Sequence, residues 1–172
     1  MTPFWIGMVV LGVTVGQVQG GQPAPDKPGT LAHELLAVEM GGAPTPDQAQ
    51  VLDYFIRRAV AEFGGLRAGE PEEARARRFF QSVDTALIEA RVIFPPAGHV
   101  ELLSQALTPR VLSEAEFRQA GNQLANARRR GEFEAGYRSG AKFFFFDCDL
   151  ASVLYVSVGE KLGLPVSMVE LP

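Results

Sequence analysis

The strongest nucleophile in this sequence is Cys148, which lies between Asp147 and Asp149 and is the only cysteine among 172 residues. A thiolate attacks amide and ester carbonyl groups, so a cysteine nucleophile indicates thioester chemistry. A single cysteine forms no disulfide within its own chain, so Cys148 is predicted to be a free thiol. The alternative interpretation is a small buried apolar side chain, a common role for free cysteines.

The two histidines of the chain, His33 and His99, are the candidates for a base that takes the thiol proton. His33 lies within a short predicted helix, where we expect a surface or capping role. His99 follows Pro95 and Pro96 in a predicted turn. Because a catalytic histidine is adjacent to its cysteine in space rather than in sequence, neither is excluded.

No metal-ligand spacing, glycine-rich phosphate loop or internal repeat is present, so the sequence predicts no metal and no cofactor. The net charge of -4 gives no overall attraction to nucleic acid or to an anionic membrane. We interpret the basic run Arg128–Arg130 as the end of a helix before Gly131, where arginines complement the helix dipole. The partner that we expect is a protein or peptide substrate.

The first 20 residues are predicted to be a signal peptide, because the apolar run Phe4–Val15 is too short for a membrane span. Cleavage is expected near Gly20, followed by a linker rich in proline and glycine at 21–29. No lysine or arginine precedes the run, so an uncleaved membrane anchor is the first alternative, and a buried apolar strand or helix is the second. We therefore expect export, to the periplasm or the medium, with membrane contact only through this segment.

Residues 30–172 are predicted to fold as a mostly helical α+β unit. Four helices are expected before the cysteine, with their inward residues at helical spacing. The second is the most sharply bounded, by a Thr45–Gln48 capping box and by Gly64–Gly65. The stretches assigned to these helices are "TLAHELLAVEMGG", with Leu31, Leu35 and Val38 inward; "TPDQAQVLDYFIRRAVAEFGG", with Val51, Phe55, Ala59 and Phe63; "EEARARRFFQSVDTALIEARV", with Phe79, Val83, Leu87 and Ala90; and "SEAEFRQAGNQLANARRRG", with Phe117, Ala120 and Leu124.

A fifth helix, over Leu150–Leu162, is apolar on most sides and is predicted to be central. Phe143–Phe146 favours a strand before it, Asp147 or Asp149 is expected to cap it, and Gly163 is expected to end it. Ser152, Ser157, Glu160 and Lys161 form its thin polar strip. The helix dipole at Cys148 favours a thiolate, whereas the two flanking aspartates oppose it, and the sequence leaves the balance open.

The segment "DCDLASVLYVSVGEKLGLPVSMVELP", residues 147–172, resembles the nucleophile segment of bacterial transglutaminase-like proteins, relatives of papain-type cysteine proteases. The resemblance implies that Cys148 is the nucleophile and that "VSMVEL" is the first strand of a sheet. It also implies a histidine and an aspartate on later strands, which are not among these residues. We therefore expect a partial transglutaminase-like core that is inactive alone. The alternative is an exported helical partner-binding protein without catalytic activity.

Overall fold

The computed structural model describes residues 29–94, 102–121 and 130–167. Within these residues the chain forms helices and three short strands, which confirms the α+β class. In chain order the elements are α1 (Leu31–Glu39), α2 (Pro46–Phe63), α3 (Glu72–Glu89), β1 (Val92–Ile93), α4 (Leu103–Ala106), β2 (Arg110–Val111), α5 (Glu114–Gly121), α6 (Arg130–Arg138), β3 (Lys142–Phe145) and α7 (Cys148–Leu162).

Helix α2 begins and ends where the sequence predicts. The Thr45 hydroxyl accepts a hydrogen bond from the Gln48 N–H at 3.3 Å, and Gly64 ends the helix with φ 69°, a conformation that glycine adopts without steric cost. Phe55, Ala59 and Phe63 are buried as expected. Local capping signals therefore define this helix.

Helix α3 ends earlier than the sequence analysis predicted. The expected helix continued to Val92, but the helix stops at Glu89, and Arg91 has a positive φ of 60°. Val92 and Ile93 then form β1, which pairs in parallel with Phe144 and Phe145. The prediction was wrong here because the backbone of Val92 and Ile93 pairs with β3, a strand that is distant in the sequence, and does not continue the helix.

The sheet has the strand order β1-β3-β2, with β2 antiparallel to β3. The four phenylalanines after Lys142 alternate between the two faces of the sheet. On one face, Phe144 and Phe146 meet the ring of Phe55 from α2, at centroid distances of 5.3 and 5.6 Å. On the other face, Phe143 meets Phe133 from α6 at 5.6 Å. The strand predicted over this run is confirmed, and it is the middle strand of the sheet.

Helix α7 is buried from Leu150 to Gly159 except at Tyr155, and it packs against α1, α2 and α3. The central position predicted for it is confirmed. Its predicted polar strip is partly wrong, because Ser152 and Ser157 are buried. Gly163, with φ 65°, ends the helix as expected.

Helix α1 docks by its first turn on the C-terminal half of α7. The Ala32 N–H donates to Ser157 Oγ at 2.9 Å, and the Leu31 N–H donates to Glu160 Oε2 at 2.8 Å. These acceptors satisfy amide groups that a helix cannot pair internally. The inward residues of α1 are Ala32 and Leu36, whereas Val38, which was expected inward, is 77% exposed.

Helices α5 and α6 are joined by stacked rings. The Ser113–Glu116 capping box forms as predicted, and Phe117 stacks on Tyr137 with a centroid distance of 4.0 Å. Gly131, where a helix was expected to have ended, lies inside α6. The interpretation of Arg130 as a helix end is therefore wrong.

Several predictions concern segments outside the described residues: the signal peptide or anchor, nearly all of the linker, Leu124, Arg128, Arg129 and His99. The strand expected over "VSMVEL" also lies largely there, and Val166 and Ser167, its described residues, are not in a strand. No helix in the described ranges has the length and apolar character needed to cross a membrane.

Candidate functional site

The N-terminus of α7 places Cys148 at the protein surface. Strand β3 ends at Phe145, and two residues later Asp147 caps the helix, its Oδ1 accepting the Leu150 N–H at 2.8 Å. Cys148 is the first helical residue, and its side chain is exposed. The interpretation of this cysteine as a buried packing residue therefore does not fit its position.

Two backbone N–H groups lie beside the thiol without an acceptor among the described residues: those of Cys148 and Asp149. The N–H of Leu150 is bound by the cap, and that of Ala151 donates to the Asp147 carbonyl at 3.1 Å. The first amides of any helix lack internal partners and carry partial positive charge. The start of α7 therefore offers two hydrogen-bond donors to an anion that forms next to the sulfur.

The buried hydroxyl of Ser152 supports the first turn of α7. Its Oγ donates to the Cys148 carbonyl oxygen at 2.8 Å. Sequence analysis assigned Ser152 to a solvent-facing strip, so this contact was missed. The only sequence signal for this hydrogen bond is a serine four residues after the candidate nucleophile.

The thiol is not activated by its described surroundings. Neighbouring atoms partly desolvate this exposed side chain, and this desolvation is the main effect that raises the pKa of Cys148 above its ordinary value. The negative charges of Asp147 and Asp149 raise it further. These described surroundings oppose the thiolate, so a nucleophilic reaction at Cys148 calls for a base.

The structure does not bring His33 to the cysteine. His33 Nδ1 accepts the Thr30 N–H at 3.2 Å, and Nε2 lies 3.1 Å from Asp53 Oδ1. The first turn of α1 contacts α7 at Ser157, which lies about 13 Å along the helix from Cys148 at 1.5 Å per residue. His33 therefore has the capping role that the sequence predicts for it.

An open cleft of about 430 Å³ lies beside the strand that leads to Cys148. Its lining comes from α1, α2, α4, β2 and β3 and the residues next to them, so no local sequence pattern predicts it. Arg110 covers the ring of Phe145, with its Cζ 3.8 Å from the ring centroid. The described residues that line the cleft are Met40, Gln48, Ser104, Gln105, Thr108, Arg110 and Phe145.

In the described ranges, no group of three or more His, Cys, Asp or Glu side chains is arranged to hold a metal ion. Comparisons with protein-family models, with curated proteins and with solved structures find no match to this chain.

Proposed function

We propose that this chain carries the nucleophile segment of a transglutaminase-like cysteine hydrolase or acyltransferase, in which Cys148 attacks an amide or ester carbonyl. One observation carries the proposal: an exposed thiol at the first residue of a buried helix, beside two N–H groups with no described acceptor. This arrangement supplies a nucleophile and an oxyanion site from the same helix end.

The chemical steps follow from this geometry. A base removes the thiol proton, the sulfur forms a bond to the carbonyl carbon, and the oxygen becomes an anion. The N–H groups of Cys148 and Asp149 donate to that anion. When the tetrahedral intermediate collapses, the amine or alcohol leaves with a proton, and a thioester remains on Cys148. Water or a second nucleophile then takes the acyl group.

The base is the component that the described residues do not supply to Cys148. A raised thiol pKa makes the base essential, since little thiolate forms without it. The resemblance of residues 147–172 to transglutaminase-like proteins implies a histidine oriented by an aspartate on later strands. We therefore expect residues 1–172 to form a thioester slowly and to show little or no turnover.

Mass spectrometry after incubation with p-nitrophenyl acetate tests the proposal. We expect a single acetyl group on Cys148 of the native protein and no acetylation at this site in the Cys148→Ser variant, whose hydroxyl is a weaker nucleophile. Robust turnover that is lost in Cys148→Ala would contradict the expected inactivity of these residues alone. His99→Ala would then be the next variant to measure.

The second candidate function is an exported helical protein that binds a partner and has no catalytic activity. The observation that favours it is the raised pKa of Cys148, because a catalytic thiol is commonly activated by its surroundings. The same experiment separates the two functions. A native protein that is not acetylated at Cys148 favours partner binding.

Export is part of both proposals, and its basis is the apolar run Phe4–Val15 with small residues near Gly20. Mass spectrometry of the secreted or periplasmic protein is expected to find an amino terminus near Gly21. An intact Met1 in the cytosolic fraction would contradict export.

A further inference from the structure

We propose that the corner between α2 and α3 is a binding site for a single oxyanion group, a phosphate or a carboxylate, held by Arg67 and Arg75. The corner consists of the loop at 64–71 together with Arg75 and Arg78 from the first half of α3. The proposal concerns a second site, and it does not rest on the chemistry of Cys148.

Arg78 holds the corner together. Its Nε and Nη2 donate to the two carboxylate oxygens of Glu70, at 2.9 and 2.5 Å, and its Nη1 donates to the carbonyl oxygen of Gly65 at 3.0 Å. Its guanidinium Cζ also lies 3.9 Å from the centroid of the Phe63 ring. The side chains of Arg78 and Glu70 are only 14% and 10% exposed. This pair is therefore neutral as a unit and enclosed, and it supports the groups around it.

Arg75 lies next to this pair and has unused donors. Its side chain makes one hydrogen bond to a described residue, from Nη2 to the Glu70 carbonyl oxygen at 3.3 Å. Its Nε is buried and has no hydrogen-bond partner, and in the described ranges this is true of no other buried side-chain nitrogen or oxygen. Buried polar groups in native proteins nearly always have a partner, and a bound water or ion often explains an exception. The Arg75 guanidinium therefore lacks an acceptor of the kind that an oxyanion supplies.

Arg67 brings a second guanidinium to the corner. The Glu70 N–H donates to the Arg67 carbonyl oxygen at 3.3 Å, which closes a turn of the loop. The hydrogen bonds from Arg78 are the main cause that lowers the pKa of Glu70, and the positive charges of Arg67 and Arg75 lower it further. Both guanidinium groups are therefore close enough to act on the same carboxylate. Neither forms an ion pair with a described residue.

The charge balance of the corner favours an anion. Each ion pair around the loop is neutral as a unit, so the net charge comes from the groups that have no ion-pair partner among the described residues. These groups are Arg67 and Arg75, with two positive charges, and Glu72, with one negative charge, which leaves one positive charge in excess. Glu72 is the exposed first residue of α3, so water screens its repulsion of a ligand. A bound oxyanion therefore offsets the excess charge.

The loop leaves room for the ligand. Gly65 and Gly69 have positive φ values of 87° and 73°, and a Cβ added at either would meet nothing within 4 Å. The N–H groups of residues 65–69 have no acceptor in the part of the chain that the structure describes. Guanidinium groups bind phosphate and carboxylate oxygens through paired hydrogen bonds, and loop N–H groups add further donors. Because Nε of Arg75 is covered, paired binding there includes a rotation of this half-buried side chain.

NMR titration with inorganic phosphate, and separately with acetate, tests the proposal. The side-chain Nε–Hε signals of the arginines are followed at constant ionic strength, so that general screening stays the same throughout. We expect a saturable shift of the Arg75 signal with a Kd of about 1–10 mM, the affinity of two or three exposed charge-assisted hydrogen bonds. The Arg78 signal, whose donors are occupied, is expected to move much less. Tighter binding of phosphate than of acetate would assign a phosphate ligand, and the reverse would assign a carboxylate.

Three variants and one matched control locate the site. Arg67→Gln and Arg75→Gln are each expected to weaken binding by about threefold to tenfold, because each removes a charged donor. Glu72→Gln is expected to strengthen binding by about threefold, because it removes a repelling charge. Arg118→Gln is the control, since Arg118 lies on α5 and is paired with Glu114. Arg67 and Glu72 are exposed, so their variants keep the test valid if Arg75→Gln fails to fold.

Two results would overturn the site. If neither anion gives a saturable shift of the Arg75 signal, the corner does not bind an oxyanion. If Arg118→Gln weakens binding as much as Arg67→Gln does, the effect comes from the overall charge and not from local contacts. The Cys148→Ala protein is expected to bind phosphate like the native protein, so this test is independent of the function proposed for the thiol.

Discussion

Replacing Leu154 by alanine tests whether α7 is the central helix that presents Cys148. Leu154 is 1% exposed, and α7 packs against α1, α2 and α3, so the cavity left by the missing carbon atoms has little room to collapse. Comparable buried Leu→Ala changes lower the free energy of unfolding by about 2–5 kcal/mol. For a chain of this length, the loss corresponds to a Tm lower by roughly 5–15 °C.

Urea unfolding followed by circular dichroism measures this loss, and Leu66→Ala is the matched control. Leu66 is 61% exposed in the segment between α2 and α3, so the same chemical change is expected to cost less than about 0.5 kcal/mol. A loss below about 0.5 kcal/mol for Leu154→Ala would refute the central position of α7. Equal losses for both variants would refute the burial argument.

Three further predictions concern the thiol, the end of α7 and acid stability. Asp149→Asn removes one of the charges that raise the thiol pKa, so alkylation at pH 7 should become faster, and an unchanged rate would show that the carboxylate does not act on the sulfur. Gly159→Ala should lower the free energy of unfolding despite the better helix propensity of alanine. The added Cβ would lie 2.5 Å from Val166 Cγ2, and crowding of this kind costs about 1–3 kcal/mol, so a more stable variant would contradict this contact. Glu116 contributes stability above its ordinary pKa of 4.5, and this contribution is lost as the pH falls towards about 2, because Arg110 holds the folded-state pKa down. Glu116→Gln should flatten this part of the pH–stability curve, and an unchanged curve would contradict the ion pair.

Elements with local end signals were predictable from the sequence. Thr45 and Gln48 form the expected cap, Asp147 caps α7, and the glycines at 64 and 163 end their helices with positive φ. Each of these signals acts within about four residues, so the sequence contains all of it. The position of Cys148 at a helix start followed from the same reasoning.

Elements that depend on distant partners were not predictable. Val92–Ile93 and Arg110–Val111 are strands of two residues each, and both exist because β3 pairs with them. The cleft draws its lining from separate parts of the chain, and no periodic pattern marks them. The exposed Val38, which was expected to face inward, shows the same limit. Helical spacing alone does not reveal which face of α1 packs against α7.

The pH dependence of Cys148 alkylation in the native protein tests the central claim most directly. The rate constant for iodoacetamide is measured between pH 6 and pH 10, with N-acetylcysteine as the reference thiol and urea-unfolded protein as the control for access. An exposed thiol beside two carboxylates predicts labelling of the folded protein with a midpoint at higher pH than that of the unfolded chain. A Cys148 that stays unlabelled until the protein unfolds would contradict an accessible nucleophile at the start of α7.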